Sequence, residues 1–265
     1  MNSKISLLVP AYNAAKYIKE CVDSFISQTC GDWEAVIVND GSTDDTEAIL
    51  SGYNDFRIRV ITTPNGGVTA ARKRALSEAK GEFVLFVDAD DTLSPDAVEK
   101  LLKAASDGAD IVVFKARKFY EDGKTGKVVS DRRYPDPKSY SDAIFTRDAH
   151  GCLWNKLFRR SLFGPEVFFP EFGYGEDRLL AVQLVAEAGS MVWIEDELYH
   201  YRRGAAGALS RRGRRGRKAG EARNHADMYR HTGDRRYLKR GVRLAFLYDW
   251  KLLAEILSGK FDPEG

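Results

Sequence analysis

The sequence lacks the features that define several common classes of protein. Its three cysteines, Cys21, Cys30 and Cys152, are far apart and form no CxxC pair, which argues against a disulfide framework or a zinc site. Neither GxGxxG nor GxxxxGK(S/T) follows a predicted strand, so dinucleotide and P-loop binding are not indicated. No apolar run approaches the roughly 18 residues of a membrane span, and the N-terminal apolar stretch is too short for a signal-peptide core. We therefore expect a cytoplasmic protein.

Acidic and basic residues nearly balance, with a net charge of +2, but they are unevenly distributed. Residues 202–243 contain 15 Arg or Lys residues and three acids, so the rest of the chain is acidic. Such a basic segment suits contact with anions, whether phosphates, nucleic acid or acidic lipid. We predict a basic, flexible loop over 203–220 and a C-terminal helical extension over 221–265. An apolar side of this extension predicts that it packs on the rest of the protein; that side contains Leu238, Val242, Ala245, Phe246, Leu253 and Ile256.

Short apolar runs alternate with segments of helical periodicity through the first 115 residues. Buried strands are predicted for five such runs, at 5–9, 35–38, 58–61, 83–87 and 110–114. Strands that are apolar throughout predict a mostly parallel sheet with helices on both faces, which is an α/β fold. The later pattern is less regular and predicts a hairpin or irregular segment at 117–142, a helix at 177–188 and strands at 191–194 and 198–201.

Polar or acidic residues follow three of the predicted strands, at 10–13, 39–42 and 88–91. In such sheets, ligands bind at the carboxyl ends of the strands. Asp88, Asp90 and Asp91 lie within four residues, and Mg²⁺ or Mn²⁺ would relieve the repulsion between their carboxylates. A solvated acidic turn is the alternative. The position at the ligand edge favours the metal site.

The turn at 39–42 and three side chains elsewhere suggest a pocket for a nucleoside. Asp40 could accept a hydrogen bond from a base N–H. Tyr12 could stack on a base, and Arg72 could face a phosphate or the edge of the base. An ordinary turn that caps the next helix is the alternative for 39–42.

Taken together, these segments resemble the family 2 glycosyltransferases of bacterial polysaccharide biosynthesis, which have the GT-A (Rossmann-like) fold. The matching motifs are LVPAYN at 8–13, VNDGSTD at 38–44, NGGVTAAR at 65–72, VDADD at 87–91, LWNKLF at 153–158 and GED at 175–177. The resemblance implies a GT-A catalytic domain over 1–202, with a nucleotide-sugar-binding half at 1–115 and an acceptor half at 116–202. It also implies an inverting transfer, usually from a UDP-sugar, that depends on Mn²⁺ or Mg²⁺.

The resemblance also implies roles for individual residues of the donor site. The nucleoside of the donor would be held by Pro10, Tyr12, Asp40 and Arg72. The turn Asp88-Ala89-Asp90 would bind the ribose and the metal. In this turn Asp88 would face the ribose and Asp90 would be the principal metal ligand, with Asp88 as the second candidate ligand.

On the acceptor side, the resemblance implies that Asp177 is the base that takes the proton of the acceptor hydroxyl. By residue type alone, an acid here is also ordinary in the first turn of a helix. Trp154, Asn155 and Glu176 are candidate acceptor contacts, and a place in the core is the alternative for Trp154. His200 is either a third metal ligand or a packed histidine.

The partners expected from this resemblance are a nucleotide-sugar donor and a saccharide or lipid-linked acceptor. The basic segment resembles the family's loop that closes over the diphosphate, here with Arg202, Arg203, Ser210, Arg211 and Arg212. Peripheral contact with the inner membrane surface is another possible role of this segment.

A nucleotidyltransferase is a rival hypothesis, although 10–13 lacks the Gly- and Arg-rich loop that such an enzyme needs. A nucleic-acid-binding protein is a second rival, although no aromatic residues interleave with the Arg/Gly run.

Overall fold

Strands and helices alternate as predicted through the N-terminal part of the computed structural model, which describes residues 4–171, 175–204 and 214–258. The strands of this part are β1 (Ile5–Ala11), β2 (Trp33–Asp40), β3 (Ile58–Thr63), β4 (Phe83–Phe86) and β5 (Thr92–Leu93). The helices are α1 (Ile18–Ile26), α2 (Thr46–Ser51), α3 (Val68–Glu78) and α4 (Ala97–Ala105).

Four of these strands form the parallel half of a single sheet, in the order β3-β2-β1-β4. β1, β2 and β4 are buried on both faces, which is why their sequences are almost continuously apolar. Ala11 lies opposite Asn39, and Leu8 lies opposite Phe86. The segments that follow β1, β2 and β4 therefore leave the sheet at the same edge.

The other half of the sheet is mixed. Its strands are β6 (Ile111–Tyr120), β7 (Thr125–Val129), β8 (Lys156–Arg159) and β9 (Met191–Arg203). β8 runs antiparallel between β4 and β6, whereas β9 is parallel to β6. Of the two alternatives predicted for 117–142, the β6–β7 pair confirms a hairpin as far as Val129, but a helix begins at Pro137, where neither alternative holds. The two strands predicted at 191–194 and 198–201 form the single strand β9, because a shift in its register with β6 accommodates the polar residues between them.

Apolar side chains on both faces of the sheet form two cores. On one face, Leu7 belongs to the same core as Phe25 of α1 and Leu101 of α4. On the other face, Leu8 shares a core with α3 and with two later helices, α5 (Pro137–Thr146) and α6 (Glu176–Glu187). The α/β fold is therefore confirmed. Its two packed layers fix the strand ends, and with them the acidic turn.

The C-terminal extension consists of three helices, α7 (Arg214–Thr232), α8 (Arg235–Tyr248) and α9 (Trp250–Leu257). The loop predicted over 203–220 is wrong for Arg203, which ends β9, and for 214–220, where α7 has already begun; residues 205–213 lie outside the described part. Periodicity could not reveal this helix, because Met228 is the one large apolar side chain among its described buried residues, and the others are small or polar: Glu221, Ala222, Asn224, His225 and Ala226. Long basic side chains are good helix formers, so the charge of the segment does not oppose the helix.

The buried side of α8 also differs from the prediction. It runs through Tyr237, Gly241 and Ala245, at a spacing of four residues, whereas Phe246 is 57% exposed. Phe246 was predicted to pack, and that prediction is wrong because the adjacent Ala245 faces α7 instead. None of the helices in the described ranges is long and apolar enough to cross a membrane.

Candidate active site

The acidic turn after β4 divides into an exposed part and a buried part. Asp88 and Asp90 are partly exposed, whereas Asp91 is fully buried. The carboxylate of Asp91 accepts hydrogen bonds from the Tyr199 hydroxyl at 2.7 Å and from the Arg202 backbone N–H at 2.6 Å. The same Tyr199 oxygen accepts a hydrogen bond from the Asp88 backbone N–H at 3.0 Å. Asp91 therefore supports the turn, and Asp88 and Asp90 are the carboxylates available to a ligand.

Arg202 anchors the turn from the end of β9. Its Nε donates to the Asp90 carbonyl at 2.8 Å, and its guanidinium also pairs with Glu20 of α1. The guanidinium lies 4.4 Å from the ring centre of Phe119, in a cation–π contact. Arg202 was predicted to open a loop that closes over the diphosphate. It is instead buried beneath the turn, because the turn supplies acceptors for two of its donors: the Asp90 carbonyl for Nε and the Asp91 carboxylate for the backbone N–H.

The carboxylates of the turn are electrostatically crowded. Burial raises the pKa of Asp88 to about 7; Arg72 opposes this shift, and the charges of Asp177 and Asp90 add to it. Burial also raises the pKa of Asp90. A divalent cation would offset this cost, since hard cations prefer carboxylate oxygens. Among the described residues, no three His, Cys, Asp or Glu side chains converge as a metal cage.

Asp40 organises the loop between β3 and α3. Its two carboxylate oxygens accept hydrogen bonds from the backbone N–H groups of Gly66 and Gly67, each at 2.8 Å, and its carbonyl accepts one from the Asn65 side chain at 2.9 Å. The next residue, Gly41, has a φ of +67°, and a Cβ there would lie 2.6 Å from the Asn65 nitrogen. Only glycine therefore fits this approach. Each Asp40 oxygen keeps a lone pair for a further donor.

Tyr12 lies at the rim of this edge, and the neighbouring Asn13 fixes its backbone. Asn13 Oδ1 accepts a hydrogen bond from the Thr43 backbone N–H at 2.8 Å, and the Asn13 N–H donates to Ser42 Oγ at 3.0 Å. These bonds join the turn after β1 to the turn after β2. The Tyr12 side chain is 53% exposed, and Pro10 is partly buried. An exposed ring on a fixed turn suits stacking on a flat ligand.

Arg72 of α3 connects the acidic turn to the start of α6. Its Nη1 lies 2.5 Å from Asp177 Oδ1 and 3.5 Å from Glu176 Oε1, and its Nη2 lies 3.5 Å from Asp88 Oδ1. The guanidinium is buried, but the three carboxylates outweigh burial and raise its pKa. Burial raises the pKa of Glu176 to about 7, and the charge of Asp177 adds to the shift. Arg72 and Asp88, which were predicted to bind the donor, therefore form one cluster with Glu176 and Asp177, which were predicted to act on the acceptor side.

The predicted acceptor contacts take different positions. Trp154 is 7% exposed and stacks between Tyr199 and Tyr201, at ring distances of 4.9 and 5.1 Å. Asn155 is fully buried, and its Oδ1 accepts a hydrogen bond from the buried Lys156 ammonium at 2.7 Å. Trp154 therefore presents little surface to a ligand, and Asn155 presents none.

His200 does not join the acidic turn. Its Nδ1 lies 3.4 Å from Thr92 Oγ1, so within the described residues its ring contacts β5 rather than the carboxylates of the turn. Tyr199 and Arg202 do reach the turn, and neither was predicted to. The alternation of β9 was the signal that could have placed Tyr199 on the side of the turn.

A cavity of about 520 Å³ lies away from this edge, between α6 and α7. Its lining includes Gln183 of α6 and Met228 and His231 of α7, and no residue of the acidic turn. The candidate site instead lies at the carboxyl ends of β1, β2 and β4.

Comparison with known proteins agrees with this geometry. The profile of Glycosyl transferase family 2 matches residues 6–164. EpsH of Bacillus subtilis, which bears the name of a glycosyltransferase, is 38% identical over 207 residues, or 75% of this chain and 60% of EpsH. This chain thus spans about 60% of the length of that relative.

Two solved structures share the fold. The crystal structure of Staphylococcus aureus TarS 1–349 in complex with UDP-GlcNAc has a TM-score of 0.69 at 24% identity, covering 96% of this chain and 71% of that chain. The mannosyltransferase PcManGT from Pyrobaculum calidifontis, in complex with GDP-Man and Mn²⁺, has a TM-score of 0.59 at 18% identity, covering 98% and 80%. The predicted GT-A fold is confirmed, and the matched family is one of glycosyltransferases rather than nucleotidyltransferases. This chain belongs to the family 2 glycosyltransferases.

Proposed function

We propose that this protein transfers a sugar, with inversion, from a UDP-sugar to a hydroxyl of a saccharide or lipid-linked acceptor. The proposed setting is the synthesis of bacterial cell-surface polysaccharide or glycolipid. The observation that carries the proposal is the cluster in which Arg72 joins Asp88 of the donor edge to Asp177 at the start of α6. UDP-GlcNAc in TarS supports a UDP donor, while GDP-Man in PcManGT marks GDP-sugars as the competing class.

The nucleoside end of the donor is assigned to the edge formed by the turns after β1 and β2. The exposed ring of Tyr12 would stack on the base, with Pro10 beneath it. The remaining lone pairs of Asp40 would accept a base N–H, while its bonds to Gly66 and Gly67 hold the pocket in shape. Binding would need little rearrangement, since this edge is already hydrogen bonded.

The acidic turn fits a hard divalent cation, Mn²⁺ or Mg²⁺. Asp90 would be its principal ligand and Asp88 a second, with Ala89 between them. Two carboxylates leave coordination positions for water and for the diphosphate of a donor. When bound, the cation would neutralise the charge that develops on the departing diphosphate.

Asp177 is the proposed base. Its carboxylate would take the proton of the acceptor hydroxyl as that oxygen bonds to the anomeric carbon, and the bond from this carbon to the diphosphate breaks. The Arg72 guanidinium occupies Oδ1 of this carboxylate at 2.5 Å, so the contact must lengthen before that oxygen can take a proton. A donor phosphate near Arg72 would compete with Asp177 for the guanidinium. Donor binding would then release the base, which favours an ordered reaction with the donor first.

Thermal-shift measurement of the full chain tests this proposal. We expect UDP with Mn²⁺ to raise the melting temperature more than GDP does, and chelation of the metal to remove the rise. Asp90→Ala should abolish the metal-dependent part, whereas Asp107→Ala, at an exposed acid far from the edge, should leave it unchanged. If no nucleoside diphosphate raised the melting temperature with metal present, the donor assignment would be wrong. A larger rise with GDP would instead reassign the donor to the GDP-sugars.

A further inference from the structure

The last two helices present an apolar cluster to solvent. Phe246 and Leu247 at the end of α8 are each 57% exposed, and Trp250 at the start of α9 is 64% exposed. The Phe246 and Trp250 rings lie 5.8 Å apart, so the two rings form one continuous patch, and Leu247 follows Phe246 in sequence. Single exposed apolar residues are ordinary on protein surfaces, but a contiguous patch marks a contact surface.

The cluster does not belong to the side by which these helices pack. α8 buries Tyr237, Gly241 and Ala245, and α9 buries Leu252 and Leu253. These buried residues account for the packing of the extension that the sequence predicted. The exposed rings of Phe246 and Trp250 take no part in that packing.

Cations extend the patch along α8. Lys239 and Arg243 precede Leu247 at steps of four residues, so all three lie on one side of the helix. Both cations are exposed, and within the described residues neither forms an ion pair, in contrast to Arg236 and Arg240 of the same helix. α8 contains no acidic residue. We call this surface, comprising Lys239, Arg243, Phe246, Leu247 and Trp250, the α8–α9 face.

We propose that the α8–α9 face docks on the surface of an anionic lipid bilayer. Trp and Phe favour the boundary between headgroups and acyl chains, and Leu247 would enter beside them. Lys239 and Arg243 would meet lipid phosphates from the same side. The face thus combines the two interactions that hold a peripheral helix on a charged membrane. This inference requires no particular donor or reaction, so it stands apart from the proposed transfer.

Two other partners fit the face less well. In a dimer with two-fold symmetry, the unpaired cations of one copy would lie close to the same cations of the other copy, and these like charges would repel each other. Single-stranded nucleic acid would contact the cations through its phosphates and the rings through its bases, but it would make no apolar contact with Leu247. The apolar cluster beside unpaired cations therefore favours lipid.

Sedimentation of the full chain with lipid vesicles tests the proposal. We expect binding to vesicles that contain phosphatidylglycerol, weaker binding to pure phosphatidylcholine, and a decrease with added salt. The double variant Phe246→Gln/Trp250→Gln should bind about tenfold more weakly. Lys239→Gln and Arg243→Gln should each lose roughly fivefold. Phe56→Gln is the matched control, because Phe56 is 90% exposed but the neighbouring Arg57 is already paired with Asp55.

Several results would overturn the proposal. Binding that is equal for neutral and anionic vesicles, or unchanged in the double variant, would show that the face is not the docking surface. Self-association that the double variant abolishes, with no vesicle binding by the parent chain, would assign the face to a second copy. Binding to DNA that needs Lys239 and Arg243 but not the rings, again without vesicle binding, would assign it to nucleic acid. Circular dichroism of each variant separates these results from loss of fold.

Discussion

At the scale of single residues, Asp177 has the clearest chemical role to test. We expect Asp177→Asn to retain UDP binding but to lose transfer by about two to four orders of magnitude, the usual contribution of a general base. The amide keeps the size of the side chain but cannot take a proton. Transfer assays with radiolabelled donor, together with UDP titration, check both parts. Glu187→Gln, at an exposed acid on the same helix, should leave both unchanged. Full transfer by the Asp177 variant would remove it as the base.

His225 gives a prediction about pH. It is 1% exposed, and burial first, then the charge of Arg240, lowers its pKa from 6.5 to about 3. Between these values the unfolded chain binds a proton that the folded chain does not, so the free energy of unfolding falls as the pH falls. The slope from this residue should approach about 1.4 kcal/mol per pH unit.

The replacement His225→Leu should remove that part of the slope in urea unfolding curves measured across this pH range. His225 Nδ1 has no hydrogen-bond partner among the described residues, so an apolar side chain gives up little. His231→Leu is the control, since His231 is exposed and contacts the carbonyl of Glu166 and the ring of Phe168. An unchanged slope in the His225→Leu variant would mean that His225 is protonated in the folded state.

At the scale of elements, the start of α6 depends on α7. Gly175 has a φ of +84°, and an added Cβ would lie 3.4 Å from Glu221 Cγ. Glu221 is 2% exposed and pairs with Arg147 and with Lys218, at 2.7 Å for the lysine. The C-terminal extension thus contacts the backbone two residues before the proposed base.

Gly175→Ala should therefore lower the free energy of unfolding by about 1–2 kcal/mol, the cost of a left-handed conformation for an L-residue. Because Asp177 is two residues away, the transfer rate should fall as well. Gly164→Ala is a matched control, as a Cβ there meets nothing within 4 Å and its φ is not positive. Urea unfolding and a transfer assay measure the two effects. Equal stability of the two variants would contradict the left-handed conformation of Gly175.

The elements that were predicted correctly are those in which the pattern of apolar residues matches the pattern of burial. β1, β2 and β4 are buried on both faces, so their apolar runs identified them. β8 was missed because it has only four residues and begins with Lys156, an unlikely residue for a core. Its ammonium is satisfied by the carbonyls of His150 and Cys152, at 3.2 and 2.9 Å. The hydrogen bonds that offset the burial of this charge come from tertiary contacts, which a local sequence pattern does not reveal.

The candidate site was predictable only in part, for a similar reason. The strand-end rule correctly placed Asp40 and Asp88 at one edge of the sheet. It could not pair Arg72 with Asp177, which lies 105 residues away in sequence. Nor could it show that Arg202, 112 residues from Asp90, supports the turn. The roles assigned to these residues remain predictions, whereas their positions are now defined.

At the scale of the whole molecule, the extension and the catalytic part share a core. Met228 of α7 and Tyr237 of α8 belong to the same apolar layer as Leu180 of α6. We therefore expect a single unfolding transition in calorimetry, with equal calorimetric and van't Hoff enthalpies. Tyr237→Ala should lower that one melting temperature without dividing the transition. Two separate transitions would support the domain boundary near residue 202 that the sequence predicted.

The stack of Trp154 between Tyr199 and Tyr201 has a practical consequence for spectroscopy. The chain has four tryptophans, and Trp154 is the one whose neighbour, Tyr199, touches both Asp88 and Asp91. A change of charge at the turn will alter the field across this indole. Its fluorescence is thus a built-in optical reporter of occupancy, and a chain that retains Trp154 alone would show donor binding in real time without a label.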